Sequence, residues 1–366
     1  MNAAAVVPAP GAPAAIEDLR LPEPQAGEVR LKVAACGVCH SDLHVARGHL
    51  KFPMPFVPGH EISGIVDAPG PGVSGFRPGD RVVSSFIMPC GRCGPCTRGR
   101  DDLCETYFAM NRTKGTLYDG TSRHYRQDGT PIAMNMMGGM AQYAVVPVTD
   151  VFPLPAALPL EESCILGCAL MTAFGAVKNA AQVQKGQTVV VVGAGGVGSS
   201  VVAISRLFGA AAVIAVDVRE DKLSAARALG ATETVDATKG DPVARVQALT
   251  GGRGADVAFE VLGRPETVGQ AFQMAADGGR VVVLGLAKPE ETAPIGITRL
   301  VRRGITVAGS LGCRVRTDMP ELIALAASGR IDVRSSITRR YRLDQINEAY
   351  AAMERGEIVG RAIVVM

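Results

Sequence analysis

The chain has no tryptophan, and aromatic residues make up only 4% of its 366 positions. It has no block of Lys or Arg, and its net charge is a modest +3. Without a basic stripe or stacking aromatics, nucleic acid is not an expected partner. No apolar run reaches the roughly 20 residues that a membrane-crossing helix needs, so no membrane partner is expected either. The opening MNAAAVVPAPGAPAA holds three prolines and neither Lys nor Arg. It therefore lacks the charged leader of a secretory signal, and a cytoplasmic location is the expectation. Repeats and low-complexity linkers are also missing. What is present is 47% hydrophobic and 20% charged, over a length that favours two domains.

Cysteine is plentiful. There are nine, six of them between Cys36 and Cys104. Disulfides are rare in a reducing compartment, so clustered cysteines point to metal or catalysis. The run Cys90-x-x-Cys93-x-x-Cys96-x7-Cys104 is the most specific pattern. Four thiolates on a Gly-rich loop close a tetrahedron around zinc and leave no position open, which defines a structural site. Iron–sulfur clusters also take four cysteines, but usually with other spacings and a trailing proline.

The first 150 residues read as short strands broken by Gly and Pro, among them Val29–Val33, Gly59–Val66 and Asp80–Ser84. That texture suggests a β-barrel-like module. Beyond about residue 170 it changes. Gln187–Val192, Val213–Asp217, Ala255–Glu260 and Arg280–Gly285 are apolar runs, the mark of strands buried on both faces. Ala- and Leu-rich helical stretches such as Asp221–Leu229 separate them, which predicts a parallel α/β sheet. Helices are expected at Pro320–Gly329 and near Gln345–Glu354, and a last strand at Ala362–Val365.

Gly193-Ala194-Gly195-Gly196-Val197-Gly198 fits G-x-G-x-x-G between a buried strand and an apolar helix. Gly193 permits the tight turn, Gly195 admits a pyrophosphate to the backbone, and Gly198 lets helix and strand pack. The helix start offers free N–H groups to the phosphate. Asp217 lies 19 residues beyond Gly198 at the end of the next strand. A carboxylate there holds the adenosine ribose and repels a 2′-phosphate, which favours NAD over NADP. Arg219 and Lys222, close by, blunt that preference.

A second metal site must be assembled from distant positions. Cys39 follows a strand at a turn, His60 starts another, and Cys168 lies where the chain enters the α/β region. Together they would make the Cys2His set of a catalytic zinc, in an inter-domain cleft. Spacing alone does not separate these three from an ordinary loop histidine and a small core cysteine.

The chain resembles the zinc-dependent alcohol dehydrogenases of the medium-chain dehydrogenase/reductase superfamily from about residue 20 to the C-terminus. The resemblance rests on Cys39-His40-Ser41-Asp42-Leu43-His44, Pro58-Gly59-His60-Glu61, the four-cysteine lobe, Gly167-Cys168 with Thr172, and Gly193–Gly198 with Asp217. It implies an α/β protein, with a GroES-like β-barrel catalytic domain (1–169 and 312–366, the zinc lobe at about 88–106). A Rossmann doubly wound parallel sheet would occupy 170–311. It implies reversible oxidation of primary or secondary alcohols by hydride transfer from a zinc-bound alkoxide to NAD. It assigns Cys39, His60 and Cys168 to a catalytic zinc and Cys90, Cys93, Cys96 and Cys104 to a structural one, hence two zinc ions per subunit. Glu61 would tune the metal and Asp42 would orient His60. Ser41 would take the alcohol proton and pass it through the cofactor ribose to His44. His40 and Arg361 would meet the cofactor phosphates. Thr172 and Val197 would buttress the nicotinamide. Gly193, Gly195, Gly196, Gly198, Asp217, Lys222 and Leu284 would complete the cofactor site, and Phe86, Leu286 and the segment Met134–Met137 an apolar substrate pocket.

Lys114–Arg123 resembles the long loop of the family's dimeric branch, so a homodimer acting on a small alcohol or aldehyde is expected. Cys36, Cys164 and Cys313 match no ligand position and read as packed side chains. The glutathione-dependent formaldehyde dehydrogenases carry acidic residues between the first ligand and the zinc histidine, and Val45–Pro53 has none. That branch ranks second. A non-catalytic protein that only binds NAD and zinc ranks third.

Overall fold

Alternating buried and exposed side chains along Val29–Val33 form the core of a longer strand, Glu28–Gly37, which organises everything around it. It pairs antiparallel with Ile62–Pro69, with Tyr143–Pro147 and with Arg361–Val365. Arg81–Val83, Phe152–Pro153 and Ile337–Arg342 extend this to a seven-stranded sheet. A hairpin of Asn2–Val6 with Ala15–Leu19 and a three-stranded sheet carrying Pro131–Met134 accompany it. The computed structural model describes all residues from Met1 to Met366. Met1–Met171 and Arg314–Met366 form one compact unit, Thr172–Cys313 a second.

The register of the first sheet decides what meets at its edge. Cys36 pairs with Ile62 on one side and with Val364 on the other. Because both neighbours run antiparallel, the end of Glu28–Gly37 lies beside the starts of Ile62–Pro69 and Arg361–Val365. Cys39, His60, Glu61 and Arg361 are therefore gathered although they span most of the sequence. The strand expected over Gly59–Val66 begins only at Ile62, so His60 and Glu61 stand free of the ladder. The turn expected at Cys39 is instead the cap of a short helix, His40–Ala46.

In the second unit the six strands are all parallel. Their spatial order is Glu233–Asp236, Ala212–Asp217, Thr188–Val192, Ala255–Glu260, Ala275–Val283, Thr306–Gly309. In chain order that is 3-2-1-4-5-6, the doubly wound arrangement, with its switch point between Thr188–Val192 and Ala255–Glu260. The central strands are buried Val, Ile, Ala and Phe, as two-sided coverage requires. The expected helices are present as Glu220–Ala228, Val315–Ala327 and Ile346–Glu354, the second starting before Pro320, which lies inside it rather than at its start. Consecutive helical turns over Glu162–Ala180 are long and apolar enough to cross a membrane, but 78% of their most apolar window is buried inside the protein.

The turn after Thr188–Val192 depends on its glycines in different ways. Gly193 sits at φ 98°, a conformation that only glycine adopts without strain. A Cβ on Gly198 would fall on the Gly193 carbonyl oxygen, whereas one on Gly195 would meet nothing within 4 Å. Gly198→Ala should therefore destabilise the protein by about 1–3 kcal/mol, the usual size of an overpacking penalty. Gly195→Ala should leave the melting curve unchanged. Thermal denaturation of the two variants beside the parent checks the contrast.

Candidate active site

Cys39 ends the extended segment after Glu28–Gly37 and caps the helix His40–Ala46. His60 and Glu61 precede Ile62–Pro69. Cys168 follows the helical turns Glu162–Gly167, which a glycine docks on the sheet: a Cβ on Gly167 would strike the Ser84 carbonyl, and Phe86 N–H donates to the Gly167 carbonyl at 2.9 Å. The potential ligand atoms of Cys39, His60, Glu61 and Cys168 all lie within 4.8 Å of one another. The chain thus assembles the three ligands proposed from sequence, all in one compact unit, with Glu61 as a fourth donor.

The protons around these atoms are in conflict. A hydrogen bond from Cys168 holds the Cys39 thiol well below its ordinary range, assisted by His60 and Arg361 against the cost of burial. The same contact, with burial, pushes Cys168 well up. Burial opposes protonation of His60, but Asp42 and Cys39 outweigh it and raise that group. Metal ligation requires both sulfurs as thiolates and the imidazole neutral, which removes the competition. Two thiolates and one imidazole are also the donor set that zinc takes at a catalytic site, so the residues fit a zinc ion.

Around the three ligands stand four groups. Asp42 Oδ2 lies 2.9 Å from His60 Nδ1, and its Oδ1 accepts from Gly59 N–H at 3.0 Å. Ser41 Oγ is 3.2 Å from Cys39 Sγ and 3.4 Å from His60 Nε2. Phe86 presents its ring edge-on to His60 at 6.1 Å between centroids. Glu61, at 3.9 Å from His60 Nε2, is held by the Arg361 guanidinium. Both members of that last pair are buried. Burial pushes the Glu61 carboxyl up, and Arg361 opposes it. Gly37 makes room for the carboxylate, since a Cβ there would collide with Glu61. Arg361, expected to meet the cofactor phosphates, is engaged here with Glu61 through one guanidinium nitrogen.

The other expected positions are distributed as follows. His40 is exposed at the first position of its helix, and His44, half-buried, packs between the rings of His40 at 6.3 Å and His49 at 5.6 Å. In the second unit the helix Gly196–Leu207 begins at the glycine turn with Gly195 as its cap. Val197 is half-buried there. Asp217 is buried; its carboxylate accepts from Ala194 N–H at 2.8 Å and from Val218 and Arg219 N–H at 2.8 and 3.1 Å. It therefore shapes the turn as well as facing it. Glu260, for which no role was expected, is wholly buried at the switch point and accepts from Leu262 and Gly263 N–H, both at 2.9 Å, and from Thr267 Oγ at 2.7 Å. Its carbonyl receives Leu284 N–H at 2.8 Å. Thr172 and Lys222 are half-buried, while Leu286 is 65% exposed. The Met134–Met137 segment does not form an open apolar lining: all four residues are buried, and Asn135 donates to Asp42.

The four-cysteine lobe folds as its spacing predicts. The sulfurs of Cys90, Cys93, Cys96 and Cys104 lie within 4.8 Å of one another. Backbone N–H groups of Cys90, Cys93 and Tyr107 point at sulfur, at 3.2, 3.3 and 3.4 Å, as thiolate ligands require. Burial opposes ionisation of Cys90, but hydrogen bonds from Thr106, Arg92 and Cys93 win and lower it to about 6. From the helix Val315–Ala327, Arg316 grips Asp101 with its backbone N–H and its guanidinium, which also donates to the Cys96 carbonyl at 2.6 Å. These residues too fit a zinc ion. Arg316→Ala should speed zinc loss from this cluster by about tenfold, readable with a chromophoric chelator, and leave the Cys39–His60–Cys168 site loaded.

Comparison with known proteins agrees with this geometry. Residues 25–156 match the alcohol dehydrogenase GroES-like domain and residues 196–328 the zinc-binding dehydrogenase domain. An NDMA-dependent alcohol dehydrogenase from Amycolatopsis methanolica is 36% identical over 368 residues, covering 99% of this chain and 98% of that one. Among solved structures, an alcohol dehydrogenase zinc-binding domain protein from Burkholderia ambifaria superposes with a TM-score of 0.95 at 34% identity, covering 100% of this chain and 98% of the other. Benzyl alcohol dehydrogenase from Acinetobacter calcoaceticus does so with a TM-score of 0.94 at 31% identity, covering 100% and 99%. With its fold, its three-ligand centre and its four-cysteine lobe, the chain belongs to the zinc-dependent alcohol dehydrogenases of the medium-chain dehydrogenase/reductase superfamily.

Proposed function

We propose that this protein oxidises primary or secondary alcohols reversibly to aldehydes or ketones, with NAD as hydride acceptor and two zinc ions per subunit. The observation that carries the reading is the convergence of Cys39, His60 and Cys168 with the Ser41 hydroxyl beside them. Zinc, when bound there, supplies the Lewis acidity that lowers the pKa of an alcohol. The nicotinamide supplies the redox chemistry.

The rest is the work of this chain. Ser41 Oγ sits beside the ligand atoms, so a substrate hydroxyl at the open position lies within its reach. His44, three residues along the same helix, shares its face. Burial lowers the His44 pKa below the ordinary histidine value, repulsion from His49 adds to this, and Cys39 opposes it. His44 therefore stays neutral and able to accept a proton through neutral pH. Phe86 covers one side of the centre with an apolar ring. Arg361 keeps the Glu61 carboxylate occupied, which leaves the open position to substrate. The carboxylate of Asp217 supports NAD over NADP, because a 2′-phosphate would meet a buried negative charge.

A panel of ethanol, a longer alkanol and benzyl alcohol, assayed with NAD and with NADP, tests the reading directly; turnover of none would sink it and favour a protein that only binds. The 36% identity to an NDMA-dependent relative supports a second reading of the electron acceptor, so NDMA belongs in the same panel. Oxidation of formaldehyde only with added glutathione would instead restore that branch. Gly195→Ala should weaken NAD binding while the fold is kept.

Further expectations follow from single side chains. Ser41→Ala should lower turnover about a hundredfold. The rate of alcohol oxidation should fall as pH drops through the His44 pKa, placing that limb below about 6.5. His44→Gln should abolish the limb and depress turnover chiefly around neutral pH, where the parent's His44 is an active base; an unchanged pH profile would end the proton-exit role. Metal analysis should find two zinc ions per chain, and about one in Cys168→Ser and in Cys104→Ser. The exposed edge strand Thr306–Gly309, with Val307 and nearby Ile297 and Val301 exposed, supports a homodimer. Light scattering should give twice the 38.1 kDa chain mass. Cysteines gathered as metal ligands rather than disulfides support a reducing, cytoplasmic setting.

A further inference from the structure

Behind the proposed zinc ligand His60 runs a line of polar groups that the reaction as described does not use. Asp42 is wholly buried. Its Oδ1 receives two donors, Gly59 N–H at 3.0 Å and Asn135 Nδ2 at 2.8 Å. Asn135 is also wholly buried, and its Oδ1 accepts from the Arg112 guanidinium at 2.8 Å. A side-chain amide suits this place. One end donates to a carboxylate and the other accepts from a guanidinium, which neither Asp nor Leu can do. We propose that Arg112 and Asn135 are positioning residues for the catalytic metal, acting through Asp42 to fix the direction and donor strength of the His60 imidazole.

Two features of the structure support this beyond the distances. First, Asp42 Oδ2 and His60 Nδ1 are 2.9 Å apart but off the line of a good hydrogen bond, and neither has another partner. The carboxylate must be held from its other oxygen if it is to orient the ring. Second, the segment that delivers Asn135 is itself pinned. Met136 has φ 58°, rare for a residue with a side chain, and its carbonyl accepts from Asn111 Nδ2 at 2.8 Å. Asn111 and Arg112 are neighbours on one wide helical turn, Tyr107–Arg112, whose first N–H donates to the sulfur of Cys104. The helix anchored on the four-cysteine lobe thus reaches the second metal centre through a chain of three hydrogen-bonded side chains. The charge logic agrees. Arg112 places a cation two contacts from Asp42, so the carboxylate does not stand as an uncompensated buried charge. Losing its anchor frees the carboxylate, and with it the imidazole it orients, to turn.

The inference rests on the reading of Cys39, His60 and Cys168 as a metal site, so the experiment measures that metal itself. Zinc release from the holoenzyme to a chromophoric chelator is followed for the parent, Cys168→Ser, Asn135→Leu, Arg112→Met and Arg112→Lys. The phase missing in Cys168→Ser reports the catalytic metal. Asn135→Leu and Arg112→Met should accelerate that phase by about tenfold and leave the four-cysteine phase alone. Arg112→Lys should recover part of the difference. The visible absorption of the cobalt-substituted protein should shift in the same order, since it reports ligand geometry. Arg112 is half-buried at the surface, so its variants keep the test valid if Asn135→Leu fails to fold. Parent-like release and spectra in the Arg112 variants would overturn the proposal. A parent with no Cys168-dependent phase would remove the metal site and the proposal with it, which is a different result.

Discussion

Two buried sulfurs and an imidazole within 4.8 Å of one another compete for protons and gain little from their own company. The fold nevertheless forces them together: two neighbouring antiparallel strands end and begin beside Cys39 and His60, and the helical turns Glu162–Gly167 bring Cys168 against them. In water-free surroundings such a cluster is stable only if a cation settles it. The rest of the first unit is arranged around that requirement. Gly37 and Gly59 are small so that Glu61 and Cys36 fit, Gly167 is small so that Cys168 can approach, and Phe86 closes the wall next to His60. A charged centre that the backbone imposes is also one that the backbone preorganises, and preorganised charge is what lowers the barrier to forming an alkoxide-like transition state.

The second unit solves a related problem with backbone alone. Its glycine turn presents N–H groups at a helix start, and the carboxylates of Asp217 and Glu260 brace the loops on either side of the switch point. Both carboxylates accept main-chain hydrogen bonds, so each does structural work while lying beside the place a cofactor would occupy. That double use explains why Asp217 is buried although a ribose-binding acid needs only to be within reach.

Much of this was legible in the sequence, and the reasons differ by feature. The four-cysteine lobe is local, with all ligands inside 15 residues, so spacing alone carries it. The glycine turn is local too, and its strand and helix flanks raise a weak motif to a strong one. The catalytic ligands are not local. Cys39, His60 and Cys168 emerged only by resemblance, because no periodicity links positions that the sheet register brings together. Arg361 was expected at a phosphate and lies on Glu61, 300 residues away in sequence, a pairing set by strand order. Asn135 was read with its methionine neighbours as apolar lining. A single polar residue inside an apolar run is a signal in itself, since burying an amide without partners costs several kcal/mol. The helix at His40–Ala46 was missed because seven residues are too few to show a period.

The charges near the proposed zinc follow one pattern. Glu61 is answered by Arg361, and Asp42 by Arg112 through Asn135. Two thiolates answer a divalent ion, so every anion of the centre has its own cation, and the whole is close to neutral. The magnitude shows why this matters. Two unit charges 4 Å apart interact by about 4 kcal/mol at an effective dielectric of 20. An unanswered Glu61 carboxylate, 3.9 Å from His60 Nε2, would therefore weaken the metal's pull on an alcohol. It would also compete for the open position. The two arginines stand, on this view, as guards of the metal's acidity: each keeps a nearby carboxylate engaged elsewhere. They come from distant parts of the chain: strand order brings Arg361 to the centre, and the helical turn Tyr107–Arg112 brings Arg112 to it through Asn135.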